Sequence, residues 1–393
     1  MPPLIFRKGL DLKHEVAGAL AESYHSDLVT SIKGNDYQYD SGRLTIRLAR
    51  EFGFCYGVDR AVDYAYQART RFPDQAVLLT GEIIHNPHVN DQLRAKGIRF
   101  LSDEGESIDA LTPEDVVILP AFGVTMELLE ELARRGCTLV DTTCGSVLNV
   151  WKAVKRYAAD GFTSVIHGKY WHEETRATAS QALHAGNGHY VVVLNREEAA
   201  LACNFIRGDG DRTAFLAQFE LSVSPGFDPV RDLQRVGCAN QTTMLSSESL
   251  AIGEVFRAAI RERYGDGELA GRFRAFDTIC SATQDRQDAV AALLDSQPLD
   301  LMIVVGGYNS SNTCNLARMC EPRLATYHIA TPACLVSASE IRHKPIGAKE
   351  ERVSAGWLPG RGPVLVGLTS GASTPDNLVD AVVRRLDELA NQV

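Results

Sequence analysis

Three cysteines, Cys55, Cys144 and Cys280, have the residue type and the local setting for metal binding or nucleophilic chemistry. Each follows a run that favours a strand and precedes a run with apolar residues at helical spacing. A thiol at a helix N-terminus lies beside unpaired N–H groups and the positive end of the helix dipole, which favour the thiolate. The thiolate is the form that binds metal or attacks a substrate. The alternative is that all three are buried structural thiols.

Three thiolates at equivalent positions could converge on one ion or cluster. Structural zinc and iron–sulfur sites usually have four protein ligands. Three ligands leave one position open for a substrate, an arrangement typical of a catalytic metal. The chain has nine cysteines and no CxxC pair, which argues against a zinc ribbon or a thioredoxin-like site. We expect most of the remaining cysteines to be reduced, buried and apolar in character.

Two further segments have the composition of anion-binding loops. "VVGGYNSSNT" contains Ser310 and Asn312, and "GLTSGASTPD" contains Ser373. Both segments run from a buried strand through a Gly-rich turn into a helix, where hydroxyl, amide and backbone N–H groups can hold phosphate. Serine and asparagine are also common N-caps, so capping alone is the alternative interpretation.

Histidines and a carboxylate follow other strand-like runs. His85 lies in "GEIIHNP", and His172 and Glu174 lie in "HGKYWHEET". A histidine and a glutamate separated by one residue are suited to an anion contact and a proton donor. If this stretch is extended, His172 and Glu174 share one face and Glu173 points away, which favours Glu174 as the donor. Thr242, in "ANQTTM", follows another short strand-like run.

The unequal spacing of the three cysteines predicts three repeated α/β units of unequal size. The predicted division is an N-terminal extension over 1–44 and α/β units over 45–143, 144–279 and 280–393. The second unit contains the excess length, which we interpret as an insertion. A chain of 393 residues is expected to form two or three domains.

Charge and hydropathy exclude several classes of protein. The net charge of −10 argues against a general binder of nucleic acid or anionic membranes. No apolar run reaches the length of about 18 residues expected of a transmembrane helix. Residues 1–20 resemble neither a signal peptide nor a transit peptide. We therefore expect a cytoplasmic protein with no membrane or nucleic-acid partner.

Eight motifs carry a resemblance to a known family. They occur in the order "GFCYGVDRAV", "GEIIHNP", "VDTTC", "HGKYWHEET", "ANQTTM", "TICSATQDRQ", "GGYNSSNT" and "GLTSGASTPD". Together they resemble the LytB family of 4-hydroxy-3-methylbut-2-enyl diphosphate reductases, which catalyse the last step of the methylerythritol phosphate pathway of isoprenoid biosynthesis. The resemblance runs from about Gly53 to Asp376, and the longer chain is similar to the plant and cyanobacterial branch.

The resemblance implies a fold and a set of site residues. The fold would be three α/β units in a trefoil-like arrangement around a central [4Fe–4S] cluster held by Cys55, Cys144 and Cys280. Glu174 would be the proton-relay acid and Thr242 its neighbouring hydroxyl. The implied diphosphate-binding residues are His85, His172, Ser310, Ser311, Asn312 and Ser373.

Two residues depart from the family pattern. Phe122 stands where the shorter bacterial enzymes have a second diphosphate-binding histidine, and a phenyl ring cannot donate a hydrogen bond to phosphate. That contact must be lost or replaced, and Lys169 is one candidate donor. Gly145 follows Cys144 where many relatives have proline, a change that could loosen the helix start without altering ligation.

The implied reaction is reductive dehydroxylation of 4-hydroxy-3-methylbut-2-enyl diphosphate to isopentenyl and dimethylallyl diphosphate. No GxGxxG follows a strand, so no nicotinamide or flavin fold is predicted. Electrons would come from ferredoxin or flavodoxin, which requires a basic docking patch on this acidic chain. Two alternatives stay open: a non-redox iron–sulfur Lewis-acid dehydratase or synthase, and a phosphate-binding iron–sulfur sensor. The His-x-Glu and Thr set, which suits proton delivery, weighs against the sensor.

Overall fold

The structure is a computed structural model that describes residues 4–184, 186, 188–276, 278–360 and 362–392. The chain divides into two compact bodies built from interleaved segments. Body 1 contains the described residues of Met1–Ile5, Ile108–Pro113 and Leu119–Cys280. Body 2 contains the described residues of Phe6–Ser107, Glu114–Ile118 and Ser281–Val393.

Strands and helices alternate along most of the chain, as the repeated α/β pattern predicts. The strands are β1 (Ile5–Phe6), β2 (Gln38–Ser41), β3 (Leu44–Leu48), β4 (Val77–Leu79), β5 (Arg99–Phe100), β6 (Val116–Leu119), β7 (Thr138–Asp141), β8 (Thr163–His167), β9 (Tyr190–Val193), β10 (Val236–Asn240), β11 (Phe273–Ala275), β12 (Leu301–Val305), β13 (Thr326–Ile329), β14 (Glu340–His343), β15 (Arg352–Ala355) and β16 (Val364–Ser370). The helices are α1 (Lys13–Tyr24), α2 (Asp27–Gly34), α3 (Tyr56–Arg71), α4 (Pro87–Ala95), α5 (Met126–Arg135), α6 (Gly145–Ala159), α7 (Glu173–His184), α8 (Arg196–Arg207), α9 (Arg212–Gln218), α10 (Pro229–Asp232), α11 (Ser246–Tyr264), α12 (Asp266–Arg272), α13 (Ser281–Ser296), α14 (Ser311–Cys320) and α15 (Asp376–Ala390).

The larger sheet of body 2 has the order β13-β12-β16-β3-β2. β12 pairs in parallel with β13 and β16, β16 pairs in parallel with β3, and only β2 runs antiparallel, to β3. β12 is the fully buried run LMIVV, which is typical of a parallel strand covered on both faces. Body 2 also contains the parallel pairs β4–β5 and β4–β6.

The sheet of body 1 has the order β11-β10-β8-β9, and every neighbouring pair is parallel. β10 and β8 are buried along their whole length. Helices α8 and α11 pack around an apolar cluster that includes Phe205, Phe256 and Ile260. In parallel sheets the carboxyl ends of neighbouring strands open at one edge. The loops that follow β8 and β10 carry His172 and Thr242, and Glu174 lies in the first turn of the helix after β8.

The α/β class with parallel sheets is confirmed. The predicted division at residues 44, 143 and 279 stays a prediction. β3, the first strand of the predicted first unit, pairs with β16 from the predicted third unit. Within body 2, the predicted N-terminal extension contacts α15: Ser26 Oγ donates to Asp380 Oδ2 at 2.8 Å, and Asn377 Nδ2 donates to the Ser23 carbonyl at 2.7 Å. Among the described residues, no helix is long and apolar enough to span a bilayer.

Candidate active site

Cys55 occupies the N-cap position of α3 in body 2, in the predicted strand–cysteine–helix order. Its N–H donates to the carbonyl of Ala372 at 3.1 Å, which ties the helix start to the loop after β16. The preceding Gly53 has φ +79°, a conformation that favours glycine. Gly53 is held on both sides, because its N–H donates to Ser370 Oγ and its carbonyl accepts from Arg286. These hydrogen bonds hold in place the backbone that carries the half-buried Cys55 thiol.

Ser310 and Asn312 lie at the start of α14, also in body 2. Ser310 is the N-cap of α14, and its Oγ accepts from the Thr313 N–H at 3.3 Å; its predicted role in anion binding stays a prediction. Asn312 Oδ1 accepts from the Ala372 N–H at 2.9 Å. The Asn312 side-chain Nδ2 is buried and has no hydrogen-bond partner in the described part of the chain. Leaving such a donor unsatisfied typically costs about 1–3 kcal/mol, so this amide fits an acceptor supplied by a ligand.

His85 and Ser373 meet in the same body. Ser373 Oγ donates to the His85 carbonyl at 3.2 Å, and Asn86 Nδ2 donates to the Ser373 carbonyl at 2.7 Å. A Cβ at Gly307 would overlap the His85 carbonyl oxygen, so glycine is needed for this approach. Body 2 thus brings Cys55 and the loops of His85, Ser310, Ser311, Asn312 and Ser373 together.

Two residues that the sequence analysis did not select complete this cluster. Glu82 Oε2 lies 2.8 Å from His85 Nδ1, and Asn309 Nδ2 donates to the same carboxylate oxygen at 2.8 Å. A carboxylate at Nδ1 fixes the proton there and orients the imidazole. The signal was present in the sequence, since Glu82 stands three residues before His85 in "GEIIHNP".

In body 1, Cys144 is the N-cap of α6, and its N–H donates to the Ala121 carbonyl at 3.0 Å. Phe122, the residue after Ala121, packs edge-to-face on the His172 ring with 5.6 Å between ring centroids. Phe122 therefore forms a wall against this histidine. The backbone N–H of Lys169 donates to Gln241 Oε1 at 3.2 Å; replacement of the missing histidine contact by the Lys169 side chain stays a prediction.

The stretch around His172 is not extended, and this expectation was wrong. α7 begins at Glu173, because acidic residues in a first turn are favoured by the helix dipole and because His172 Nδ1 accepts the Glu174 N–H at 3.1 Å. That bond leaves the proton of the neutral imidazole on Nε2. The two carboxylates still point in different directions: the Glu173 side chain is 57% exposed, whereas Glu174 is 1% exposed.

Glu174 and Thr242 form a two-point contact inside body 1. The Thr242 N–H donates to Glu174 Oε1 at 2.6 Å, and Thr242 Oγ1 donates to Glu174 Oε2 at 3.0 Å. The Thr242 carbonyl in turn accepts from the Cys280 N–H at 3.3 Å. Cys280 directly precedes α13 and is half-buried. A continuous set of contacts thus joins a candidate proton donor to a candidate metal ligand.

Gln241 is a third residue that sequence reasoning missed. Its Oε1 accepts from the Lys169 N–H and from Thr175 Oγ1, and its Nε2 donates to Thr243 Oγ1 at 2.9 Å. Because Gln241 is buried, these bonds hold the loop after β8 against the loop after β10. The motif "ANQTTM" contained the residue, but its role depends on a tertiary contact.

The remaining cysteines differ from the three candidates. Burial raises the pKa of the Cys203 thiol and of the Cys320 thiol to about 12, and it raises the pKa of Cys238 as well. Five are buried: Cys137, Cys203, Cys238, Cys320 and Cys334. Cys314 is half-buried, and its thiol donates to the Tyr308 carbonyl at 3.4 Å. The expectation that most of them are buried apolar residues is confirmed.

Body 2 therefore presents one half-buried thiol at a helix start, Cys55, beside polar groups suited to an anion. Body 1 presents two, Cys144 and Cys280, beside polar groups suited to proton transfer. This combination defines a class: α/β proteins with thiolate ligands for a metal centre and an adjoining anion site. The chain matches the LytB protein family over residues 46–387. It belongs to the LytB family, a family of iron–sulfur enzymes.

Curated relatives and solved structures agree with this assignment. The chain is 49% identical to 4-hydroxy-3-methylbut-2-enyl diphosphate reductase of Synechococcus sp. strain RCC307, over 98% of this chain and 93% of the relative. It is also 49% identical to the reductase of Gloeobacter violaceus, over 98% of this chain and 92% of that protein.

Among solved structures, it resembles an (E)-4-hydroxy-3-methyl-but-2-enyl diphosphate reductase described as the terminal enzyme of the non-mevalonate pathway. The TM-score is 0.51 and the identity is 28%, covering 87% of this chain and 99% of that one. The Plasmodium falciparum reductase matches with a TM-score of 0.61 at 20% identity, covering 86% of both chains, which shows a common fold.

Proposed function

We propose that this chain reduces 4-hydroxy-3-methylbut-2-enyl diphosphate to isopentenyl and dimethylallyl diphosphate. The reaction takes up two electrons and two protons, breaks the C–O bond of the hydroxyl and releases water. Family membership and the names of near full-length relatives support the substrate. The observation that carries the proposal is the buried Glu174 carboxylate, bonded at both oxygens by Thr242, whose carbonyl holds Cys280.

The cofactor is a [4Fe–4S] cluster with Cys55, Cys144 and Cys280 as its three protein ligands. Their half-buried positions at helix starts fit iron ligation, and thiolates are the usual protein ligands of such clusters. The three predicted α/β units would surround the cluster in the trefoil-like arrangement implied by the family. When bound, the cluster would pass the two electrons of the reduction, one at a time, from the external carrier to the substrate.

The diphosphate is held by side chains and backbone N–H groups of the loops described above. Asn312 contributes the buried Nδ2 donor, and the start of α14 contributes the positive end of a helix dipole. His172 presents an Nε2–H donor, because its Nδ1 is used by the Glu174 N–H. The residues of this clamp are His85, His172, Ser310, Ser311, Asn312 and Ser373. Positioning of this kind contributes several kcal/mol to lowering a barrier.

Glu174 holds the proton that leaves with the hydroxyl oxygen. A threonine hydroxyl both donates and accepts, so the 3.0 Å contact between Thr242 Oγ1 and Glu174 Oε2 is a route for one proton. The Thr242 N–H keeps the other carboxyl oxygen in place. Electrons are delivered by ferredoxin or flavodoxin, since the sequence contains no nicotinamide or flavin motif.

Turnover of anaerobically purified protein tests the proposal. With the hydroxylated diphosphate and dithionite-reduced methyl viologen, both five-carbon diphosphates are expected, and omission of the reductant should abolish them. Product formation without reductant would instead indicate the Lewis-acid dehydratase or synthase. Tight substrate binding without turnover under strong reductant would indicate the sensor.

A further inference from the structure

The exposed face of α6 is basic in the second half of the helix. This 15-residue helix follows Cys144 directly and contains Lys152, Lys155 and Arg156 but no aspartate or glutamate. All three cations are exposed, whereas Val147, Val150 and Val154 on the opposite face are buried. The helix is therefore amphipathic, and every charged residue on its solvent side is a cation.

These cations are not neutralised, unlike many others in the chain. Among the described residues, no carboxylate forms a salt bridge with Lys152, Lys155 or Arg156, and Lys152 Nζ donates to the neutral Asn149 side chain at 3.4 Å. By contrast, both arginines in the last turn of α5 pair with Glu131, and Arg384 on α15 pairs with Asp380. The positive field of α6 therefore reaches solvent.

Two more arginines extend the charge at the end of the helix. Arg235 and Arg274 lie over the Phe162 ring, 4.3 and 4.2 Å from its centroid. Asp160, the nearby acid, is hydrogen-bonded by Arg274, and this bond and the surrounding arginine charges lower its pKa. Three arginines, Arg156, Arg235 and Arg274, therefore lie around one carboxylate, Asp160. We call this surface the α6 basic face; it consists of Leu148, Lys152, Lys155, Arg156, Arg235 and Arg274.

The α6 basic face starts at Leu148, about one helical turn after the predicted cluster ligand Cys144. A rise of 1.5 Å per residue places Leu148 about 6 Å and Lys152 about 12 Å along the helix axis from Cys144. Leu148 is apolar and 36% exposed. An apolar contact with a charged surround is common at interfaces between proteins, and charge complementarity steers their encounter.

We propose that the α6 basic face docks an acidic one-electron carrier protein and thereby brings the donor to the Cys144 end of the helix. This inference rests on the proposed function, because it names the partner of that reaction. The whole chain carries a net charge of −10 and repels an acidic partner at a distance. A local positive surface reverses that repulsion and raises the association rate, by factors of about 10–10³ in other proteins.

The test compares two electron donors on the same anaerobic enzyme. Lys152→Glu/Lys155→Glu is assayed with reduced plant-type [2Fe–2S] ferredoxin and, separately, with reduced methyl viologen, a small dye that needs no docking surface. At low ionic strength we expect kcat/KM for ferredoxin to fall at least about tenfold, while dye-driven turnover stays unchanged. The difference should shrink as salt is added, because the Debye length falls from about 10 Å at 0.1 M to about 3 Å at 1 M.

Matched variants separate local from general charge effects. Lys349→Glu, an exposed lysine of body 2, makes the same change elsewhere and should alter ferredoxin kinetics less than about twofold. Lys152→Gln/Lys155→Gln should show a smaller loss than the glutamate pair. If ferredoxin kinetics are unchanged, or if the dye reaction falls in parallel, the docking assignment is wrong.

The remaining outcomes are also decisive. A wild-type enzyme that turns over with neither donor overturns the proposed function itself. Loss of binding to phosphatidylglycerol vesicles in the glutamate pair, with unchanged ferredoxin kinetics, would assign the surface to a membrane and overturn the inference.

Discussion

Replacing Glu174 by glutamine removes the transferable proton while keeping the shape of the side chain. The structure indicates that the fold tolerates this change. The Thr242 N–H, now 2.6 Å from Glu174 Oε1, can donate to the amide oxygen of glutamine. The amide NH₂ can donate to Thr242 Oγ1, which is 3.0 Å from Oε2 and reverses its role from donor to acceptor.

The expected loss is therefore catalytic. Removing a general acid typically costs about 10²–10⁴-fold in rate, which corresponds to about 2.7–5.4 kcal/mol of barrier. The substrate KM should change little, because Glu174 does not belong to the proposed diphosphate clamp. Glu173→Gln is the matched control: it makes the same chemical change one residue away, on a side chain that is 57% exposed.

The assay measures kcat and KM of both variants with one dye reductant, together with iron content. We expect Glu174→Gln to retain iron and KM and to lose turnover, and Glu173→Gln to remain largely active. An active Glu174→Gln beside an inactive Glu173→Gln would refute the assignment of the proton donor. Equal losses in both variants would show that general charge at the start of α7, rather than a buried proton, controls the rate.

Three other outcomes follow from named contacts. Asn312→Ala removes the buried Nδ2 donor and should raise the substrate KM about tenfold or more without loss of iron, measured by steady-state kinetics; an unchanged KM would contradict its place in the clamp. Glu82→Gln removes the carboxylate that contacts His85 Nδ1 and should raise KM more than it lowers kcat, whereas Glu82→Asp should show a smaller effect. A loss confined to kcat would argue against a role of Glu82 in positioning His85. Burial lowers the pKa of His328 to about 4. Between this pKa and the ordinary value of 6.5, the unfolded chain binds a proton at His328 and the folded chain does not, so the folded state loses stability as the pH falls. Urea unfolding at pH 7 and pH 5 should show about 2 kcal/mol less acid destabilisation in His328→Gln than in the wild type; equal pH dependence in both would refute this.

Much of the candidate site could be predicted from local patterns in the sequence. The strand–cysteine–helix order at Cys55, Cys144 and Cys280 is visible within about ten residues on either side of each cysteine, so periodicity alone places each thiol at a helix start. The N-cap role of Ser310 is equally local. The pairing of β3 with β16 is not, because a parallel strand's partner is chosen by packing between distant segments.

The residues that sequence reasoning missed act through other residues. Glu82 orients His85 from three residues earlier in the sequence. Gln241 joins the loops after β8 and β10, and it has no neighbour in sequence that reveals these contacts. The extended geometry assumed around His172 failed because capping by the His172 ring starts α7 one residue later. Glu173 and Glu174 still face different surroundings, since a helix also turns adjacent side chains to different directions; the role of Glu174 as proton donor stays a prediction.

Iron content and turnover of single cysteine-to-serine variants test the central claim most directly. Cys314 provides the control, because it is half-buried like the three candidates but lies inside α14 rather than at a helix start. The account predicts that Cys55→Ser, Cys144→Ser and Cys280→Ser each lose the cluster or all reductant-dependent turnover, whereas Cys314→Ser keeps both. Full iron content and full activity in any one of the first three variants would contradict it.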